Sequence, residues 1–223
     1  MSLKQSYYRY RITFAKVGAV RFIGHLDLQS LFQRAIKRAK LPVAYSEGFN
    51  PHQLLSFAAP LPLGMAGYAE VLEVFLMREV PAVEIADSLN SQLPLGLEVN
   101  DVQEVPAIGK SAAALVRRAT YSIAFLETFD LDRAVKEALK SQGIEIEKKG
   151  KKGMNVVDIR PDIYGLEVTS PGKLHAVLAC GSERNLKPEV LMKYILKVLE
   201  IEPDDCDIVY ERLEIELKEA AAT

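Results

Sequence analysis

The residues whose types could do chemistry begin at Arg21, which is followed closely by His25 and Asp27. An imidazole near a carboxylate and a guanidinium can transfer a proton or bind a phosphate. A structural interpretation competes with this one, because an aspartate in front of a periodic apolar segment is typical of a helix N-cap. The catalytic residue is therefore unknown, and His25 is the candidate.

A basic helix follows this group. Apolar residues at spacings of three and four from Leu28 predict a helix that has Asp27 as its N-cap and ends at Leu41-Pro42. The side chains on its other face are basic: Arg34, Lys37 and Arg38. Cations so close together repel one another unless an anion covers them, although a solvated helix face is the ordinary alternative.

Local charge supports an anionic partner more strongly than the total charge does. Residues 1–52 carry nine Lys and Arg against two acidic residues, a net charge of +7, whereas residues 53–105 carry a net charge of −7. Phosphate contacts require little more than such cations. We expect further contributions in this region from Arg9, Arg11, Arg21 and Lys40.

The segment from Ser46 to His52 is predicted to be a shaped loop, because it contains Gly48 and an Asn-Pro pair. Its polar side chains converge beside the basic helix, where a ligand could be held. Four aromatic residues could stack on unpaired bases: Tyr8, Tyr10, Tyr45 and Phe49. A second basic loop lies near residue 150. The predicted nucleic-acid- or anion-binding residues are Arg21, His25, Arg34, Lys37, Arg38, Tyr45, Ser46, Phe49, Asn50, His52, Lys148, Lys149, Lys151 and Lys152.

The elements that position these residues follow the order β-α-β-β-α-β, the split βαβ arrangement of the ferredoxin-like fold, with one face of the sheet left open. The predicted strands cover residues 8–15 with a hairpin into 20–23, then 42–59, 69–77 and 97–105, and the helices cover 28–41 and 83–93.

The same order recurs after a linker that includes a short helix. The predicted strands are 121–127, 144–147, 156–160, 164–170, 174–180 and 206–217, and the helices are 131–139, with Asp130 as N-cap, and 186–199. The fold class is therefore α+β, with tandem ferredoxin-like domains of antiparallel strands at residues 1–105 and 120–223 and a linker at 106–119.

The sequence lacks the motifs of several large enzyme classes. It has no phosphate-binding loop, dinucleotide fingerprint or nucleophile elbow, and its cysteines are Cys180 and Cys206 alone. We therefore predict no cofactor and no metal site. No apolar run reaches the roughly 18 residues of a spanning helix, and the sparse cysteines indicate a reducing compartment. These features predict a cytoplasmic protein without a membrane partner.

Four motifs resemble those of a bacterial family. The four motifs are Arg21-Phe-Ile-Gly-His-Leu-Asp-Leu, the stretch from Gln33 to His52, Pro60-Leu-Pro-Leu-Gly, and the stretch from Lys151 to Pro161. This combination is similar to an uncharacterised family of domains found fused to radical S-adenosylmethionine enzymes or encoded beside them. The resemblance implies an accessory role beside such an enzyme and brings no established activity.

Three hypotheses follow. The first is an accessory protein, without catalytic activity of its own, that presents tRNA or rRNA to a radical S-adenosylmethionine partner through the basic region of the N-terminal domain. The second is an RNA-processing or RNA-modifying enzyme that uses His25 as acid or base. The third is a protein–protein adaptor that binds no nucleic acid.

Overall fold

The computed structural model describes residues 7–150 and 153–218, and only the backbone of residues 148–150. The chain is a mixed α+β protein whose sheet is mostly antiparallel, which confirms the predicted α+β class with antiparallel strands. It divides into two compact units. The first takes in the described residues up to Val116 together with Leu217 and Lys218, and the second is Arg117–Glu216.

The first unit follows the predicted order of elements. Its elements are β1 (Tyr8–Lys16), α1 (His25–Arg38), β2 (Leu55–Phe57), β3 (Ala66–Leu76), α2 (Ala82–Asn90), β4 (Leu97–Val105) and the single turn α3 (Ala112–Leu115). Its strands lie in the order β4-β1-β3, and β2 pairs with the outer side of β3.

The core of this unit lies between the sheet and the two longer helices. Every second residue of β1 faces it, and α1 and α2 add apolar residues at helical spacing. The largest buried members are Tyr10, Ile12, Phe14, Phe32, Ile36, Leu72, Leu76, Ile85 and Leu89. This packing fixes which side of α1 faces outward.

Three local predictions for this unit are wrong. Residues 20–22 belong to a 3-10 helix, Gly18–Phe22, and Ile23 is its C-cap. Gly18 turns the chain with φ +62°, and the Lys16 Nζ donates to the carbonyl oxygens of Arg21 and Ile23. Helix α1 begins at His25, so Gly24 is its N-cap and Asp27 lies in the first turn. Within residues 42–59, the strand is limited to β2 and the isolated bridges of Val43 and Tyr45.

The face of the sheet opposite α1 and α2 is also not open at its centre. Arg9 and Glu73 lie on this face and are buried. The Arg9 guanidinium donates to the carbonyl oxygens of Pro106 and Lys110, and α3 contacts β2 and β3. The segment after β4 therefore covers this part of the sheet.

The second unit repeats the same order with one addition. Its elements are β5 (Val116–Phe125), α4 (Asp132–Lys140), β6 (Glu145–Gly150), β7 (Gly153–Asp158), β8 (Ile163–Ser170), β9 (Lys173–Ala179), α5 (Pro188–Leu199) and β10 (Ile208–Leu217). The sheet order is β10-β5-β9-β8, and β6 and β7 form a separate hairpin. The N-cap of α4 is Leu131 rather than the predicted Asp130.

Candidate functional site

The outward face of α1 presents the cations that the sequence singled out. Arg34 and Lys37 are exposed, and neither side chain has a hydrogen bond or ion pair with another residue of the described chain. Arg38 is exposed too, but its guanidinium donates to the side-chain and backbone oxygens of Gln92 at 3.2 and 2.8 Å. Arg34 and Lys37 are therefore the cations of α1 that remain for a ligand.

Most other cations near the N-terminus already have structural partners. Arg9 Nη2 lies 2.7 Å from Glu73 Oε2, and Arg11 Nε lies 2.9 Å from Glu73 Oε1. Lys16 is 1% exposed, and its Nζ donates to backbone oxygens at 2.8 and 3.2 Å. The expectation that Arg9 adds to a basic surface is wrong, because its side chain is buried against Glu73. Arg11 is partly exposed and shares the same carboxylate.

The pKa values of these groups agree with such structural roles. Burial by itself would raise the pKa of Glu73, but hydrogen bonds from Arg9, the Ala112 backbone N–H and Arg11 outweigh it and lower the pKa. Burial lowers the pKa of Lys16, and the nearby Glu70 carboxylate opposes this effect.

The loop formed by Ser46–His52 is closed at its base by hydrogen bonds between its two end residues. The Ser46 Oγ lies 2.8 Å from His52 Nδ1 and accepts from the His52 backbone N–H at 3.1 Å. The Ser46 backbone N–H donates to the His52 carbonyl oxygen at 2.8 Å. Gly48 has φ +112°, a conformation that favours glycine, and Phe49 and Asn50 are exposed at the tip.

This loop is attached to α1 through Gln53, a residue that the sequence reasoning missed. Gln53 is buried and pairs in an isolated bridge with Tyr45. Its Nε2 donates to the Gln33 carbonyl oxygen of α1 at 3.2 Å. The only sequence signal for this contact was a polar residue directly after the shaped loop. Its partner could not be predicted, because every residue of a helix has a backbone carbonyl.

A different environment surrounds the N-terminal end of α1. The Arg21 guanidinium lies 4.8 Å from the centre of the Phe22 ring, and the His25 ring packs edge-on against Phe57 with centroids 5.3 Å apart. His25 has no hydrogen bond or ion pair in the described part of the chain. Its observed role is packing, and its predicted role as acid or base stays a prediction.

Three apolar side chains are exposed in the segments next to this end of the helix. Phe22 is 61% exposed, Leu26 is 76% exposed and Leu63 is 68% exposed. The Leu63 segment is held close to the 3-10 helix, because the Gly64 backbone N–H donates to the Arg21 carbonyl oxygen at 3.0 Å.

Tyr10, which was predicted to stack on bases, is instead buried, and its hydroxyl accepts from the Val80 backbone N–H at 3.0 Å.

The second predicted basic loop falls in the part of the sequence where β6 ends and β7 begins. Lys151 and Lys152 lie outside the described residues, and for Lys148 and Lys149 the structure describes the backbone alone. The nearby Arg160 has a structural role, because its guanidinium donates to the carbonyl oxygens of Leu139, Ser141 and Ile163.

The second unit also contains a groove of about 760 Å³ between α4, α5 and the hairpin. Its lining carries both signs of charge: Arg133, Lys193 and Lys197 against Glu137, Glu145, Glu147 and Glu200. Arg133 already donates to the Val198 carbonyl oxygen. The mixture of charges favours no particular ligand.

In residues 7–150 and 153–218, no group of three or more His, Cys, Asp and Glu side chains is arranged to hold a metal ion. No helix in these ranges is long and apolar enough to cross a membrane.

The fold and the site define an α+β protein whose N-terminal unit places a basic helix face beside a shaped loop. The chain belongs to a family described as "Uncharacterized protein conserved in bacteria (DUF2344)", whose model matches residues 9–188. The predicted membership of an uncharacterised bacterial family is thereby confirmed. No curated protein matches the chain.

Two of the solved structures that are similar to this chain illustrate the low identity of such matches. One is a chain of the crystal structure of a Cbf5-Nop10-Gar1 complex, with 12% identity, a TM-score of 0.49 and coverage of 95% of this chain and 50% of that one. This chain therefore spans about half the length of that relative. The other is an unknown protein from Galdieria sulphuraria, with 15% identity, a TM-score of 0.30 and coverage of 93% and 99%. Both TM-scores are below 0.5, so neither likeness supports an argument about function.

Proposed function

We propose that this protein binds RNA through the outward face of α1 and the Ser46–His52 loop, and that it is an accessory protein of a radical S-adenosylmethionine enzyme. The RNA is tRNA or rRNA, and the protein acts in the cytoplasm. The observation that carries the RNA part is the pair Arg34 and Lys37, because both are exposed and unpaired on the outward face of α1. The side chains of Arg9, Arg11, Lys16 and Arg38, in contrast, are engaged by other residues of the described chain. The proposal of a radical S-adenosylmethionine enzyme as partner rests on the resemblance of the four motifs to that family.

The fold supports the domain organisation that accompanies this proposal. In each unit the sheet runs in the order fourth, first, third, second strand, which is the order expected of a ferredoxin-like domain. We propose tandem ferredoxin-like domains at residues 1–105 and 120–223, joined through residues 106–119, the last four of which already belong to β5.

The test is a double charge reversal, Arg34→Glu with Lys37→Glu, and the measurement is binding of tRNA and of rRNA fragments over a range of salt concentrations. We expect the affinity to fall at least tenfold. The slope of log affinity against log salt should become shallower by about 1–2, because each lost phosphate contact removes about 0.7–0.9 of it.

The matched control is Lys193→Glu with Lys197→Glu, which changes the charge by the same amount on the exposed face of α5. This variant should keep the affinity of the wild type. Unchanged binding in the α1 variant, or an equal loss in both variants, contradicts the proposal.

The exposed Phe22, Leu26 and Leu63 favour a second candidate function, an adaptor that docks its partner enzyme without RNA. Isolated exposed apolar residues are common, but several in neighbouring segments are typical of protein contacts. If this candidate is correct, the radical enzyme binds after complete nuclease treatment and Leu26→Ser weakens that binding. If RNA holds the complex together, nuclease treatment releases the enzyme and Leu26→Ser has no effect.

A further inference from the structure

We infer that the Ser46–His52 loop is a base-stacking site and that the RNA it takes is unpaired. A base lies against the Phe49 ring, while Arg34 and Lys37 bind the phosphates of the same strand. This inference rests on the proposed function and names its class of RNA, a single strand rather than a duplex.

Phe49 is the most exposed large apolar side chain of the described residues, at 105% of its reference area. A single exposed phenylalanine would carry little weight by itself. Here, however, the ring stands at the tip of a loop whose neighbours Glu47 and Asn50 are polar and exposed. The ring thus offers an isolated flat apolar surface, whereas a protein-docking patch is built from contiguous apolar area.

Hydrogen bonds within the chain hold the loop in a defined shape. Three hydrogen bonds join Ser46 to His52 at its base, and Gln53 attaches it to α1. Binding that uses a preordered loop loses less conformational entropy than binding that must order one. The Phe49 ring is therefore presented in a defined position relative to the helix.

The hydrogen bonds of Ser46 also orient the His52 ring. The Ser46 Oγ accepts from the His52 backbone N–H at 3.1 Å and lies 2.8 Å from Nδ1, so Nδ1 is engaged within the loop. The ring is exposed, and its other nitrogen, Nε2, is a polar atom that suits contact with a phosphate oxygen or a base edge beside the stacked base.

A duplex cannot use this arrangement, because its bases are stacked inside the helix and show only their edges. Stacking on an aromatic side chain requires a base that has left its pair, as in loops, bulges and single strands. The combination of a flat ring with two unpaired cations is the one by which proteins hold unpaired strands.

The experiment uses the absence of tryptophan from the chain. In Phe49→Trp the only tryptophan stands at the tip of the loop, so its fluorescence reports on stacking. We expect a single-stranded RNA of about twelve nucleotides to quench this fluorescence and to bind at least tenfold more tightly than a duplex of the same sequence. Phe49→Ala should weaken single-strand binding roughly 5- to 150-fold, the range measured for losing one stacked base.

The control is Leu95→Trp, since Leu95 is 99% exposed in the turn before β4. Its fluorescence should not change on RNA binding. If the single strand binds wild type and Phe49→Trp without quenching, and Phe49→Ala binds equally well, the base-stacking site is wrong while RNA binding stands. Equal affinity for duplex and single strand overturns it as well. If wild type binds neither RNA, the proposed function itself fails.

Discussion

Arg9 and Arg11 on β1 have the same charge as Arg34 and Lys37 on α1, in the same compact unit, and their environments are opposite. The two β1 arginines share the carboxylate of Glu73, whose side chain is 1% exposed. The two α1 cations are exposed and have no partner in the described chain. Net charge along the sequence treats these pairs as equal, whereas the fold separates them into a structural pair and a pair available to a ligand.

The difference follows from the position of each residue in its element. Arg9 and Arg11 occupy alternate positions of a central strand, so both lie on one face of the sheet opposite Glu73 of β3. Arg34 and Lys37 lie on the side of α1 away from the core. A cation in the first position must be neutralised for the unit to fold, and one in the second can remain unneutralised in water.

The largest effect is expected for Glu73→Gln, which tests whether the β1 arginines need their partner. This substitution leaves Arg9 buried without a countercharge. We expect the first unit to lose about 3–5 kcal/mol of its free energy of unfolding, as when one partner of a buried ion pair is removed. Urea unfolding measures the loss, and hydrogen exchange of the β1 and β3 amides locates it in this unit. The same substitution at the exposed Glu104 should change the stability by less than about 0.5 kcal/mol. A similar small effect at Glu73 would show that the ion pairs do not hold the unit together.

The pH dependence of the free energy of unfolding tests the same contrast between the β1 and α1 cations. Because the pKa of Glu73 is lowered in the folded state, its ionised form stabilises the fold above the unfolded-state pKa of about 4.3. That contribution is lost as the pH falls through the lowered folded-state pKa. The stability difference between wild type and Glu73→Gln should therefore be constant near neutral pH and shrink in acid.

The smallest effect on stability is expected for Arg34→Gln with Lys37→Gln. Neither side chain has a partner to lose, so the free energy of unfolding should change by less than about 0.5 kcal/mol. Urea unfolding at low salt is the measurement, since any repulsion between the two cations is least screened there. A loss above about 1 kcal/mol would mean that these cations are structural after all and would remove the contrast with β1.

Much of the fold was predictable because the spacing of apolar residues along the sequence indicates where helices and strands lie. The strand predicted at residues 97–105 is β4 with the same bounds, and both units show the expected order of elements. The errors arose where distant contacts decide the local structure. Residues 20–23 have strand-forming side chains, but Lys16 binds the backbone oxygens of Arg21 and Ile23 and holds them in a turn.

The sequence predicted the basic helix face and the shaped loop of the candidate site, but it did not predict which cations remain available to a ligand. The spacing of Arg34 and Lys37 on an amphipathic helix identifies an outward basic face. That Arg9 is unavailable depends on its pairing with Glu73, which is 64 residues away along the chain. Only the register between β1 and β3 reveals this pair, and only the packing of the loop against α1 reveals the contact between Gln53 and Gln33.

The β6–β7 hairpin, finally, bears on how this family can vary in evolution. Its two ends meet, because the Ile144 backbone N–H donates to Asp158 at 2.8 Å and the Ile159 backbone N–H donates to the Ile144 carbonyl oxygen at 2.9 Å. A segment that leaves a domain and returns to the same point can lengthen, shorten or disappear without shifting the strands on either side. Relatives of this chain can therefore differ in length here while their sheets stay superimposable.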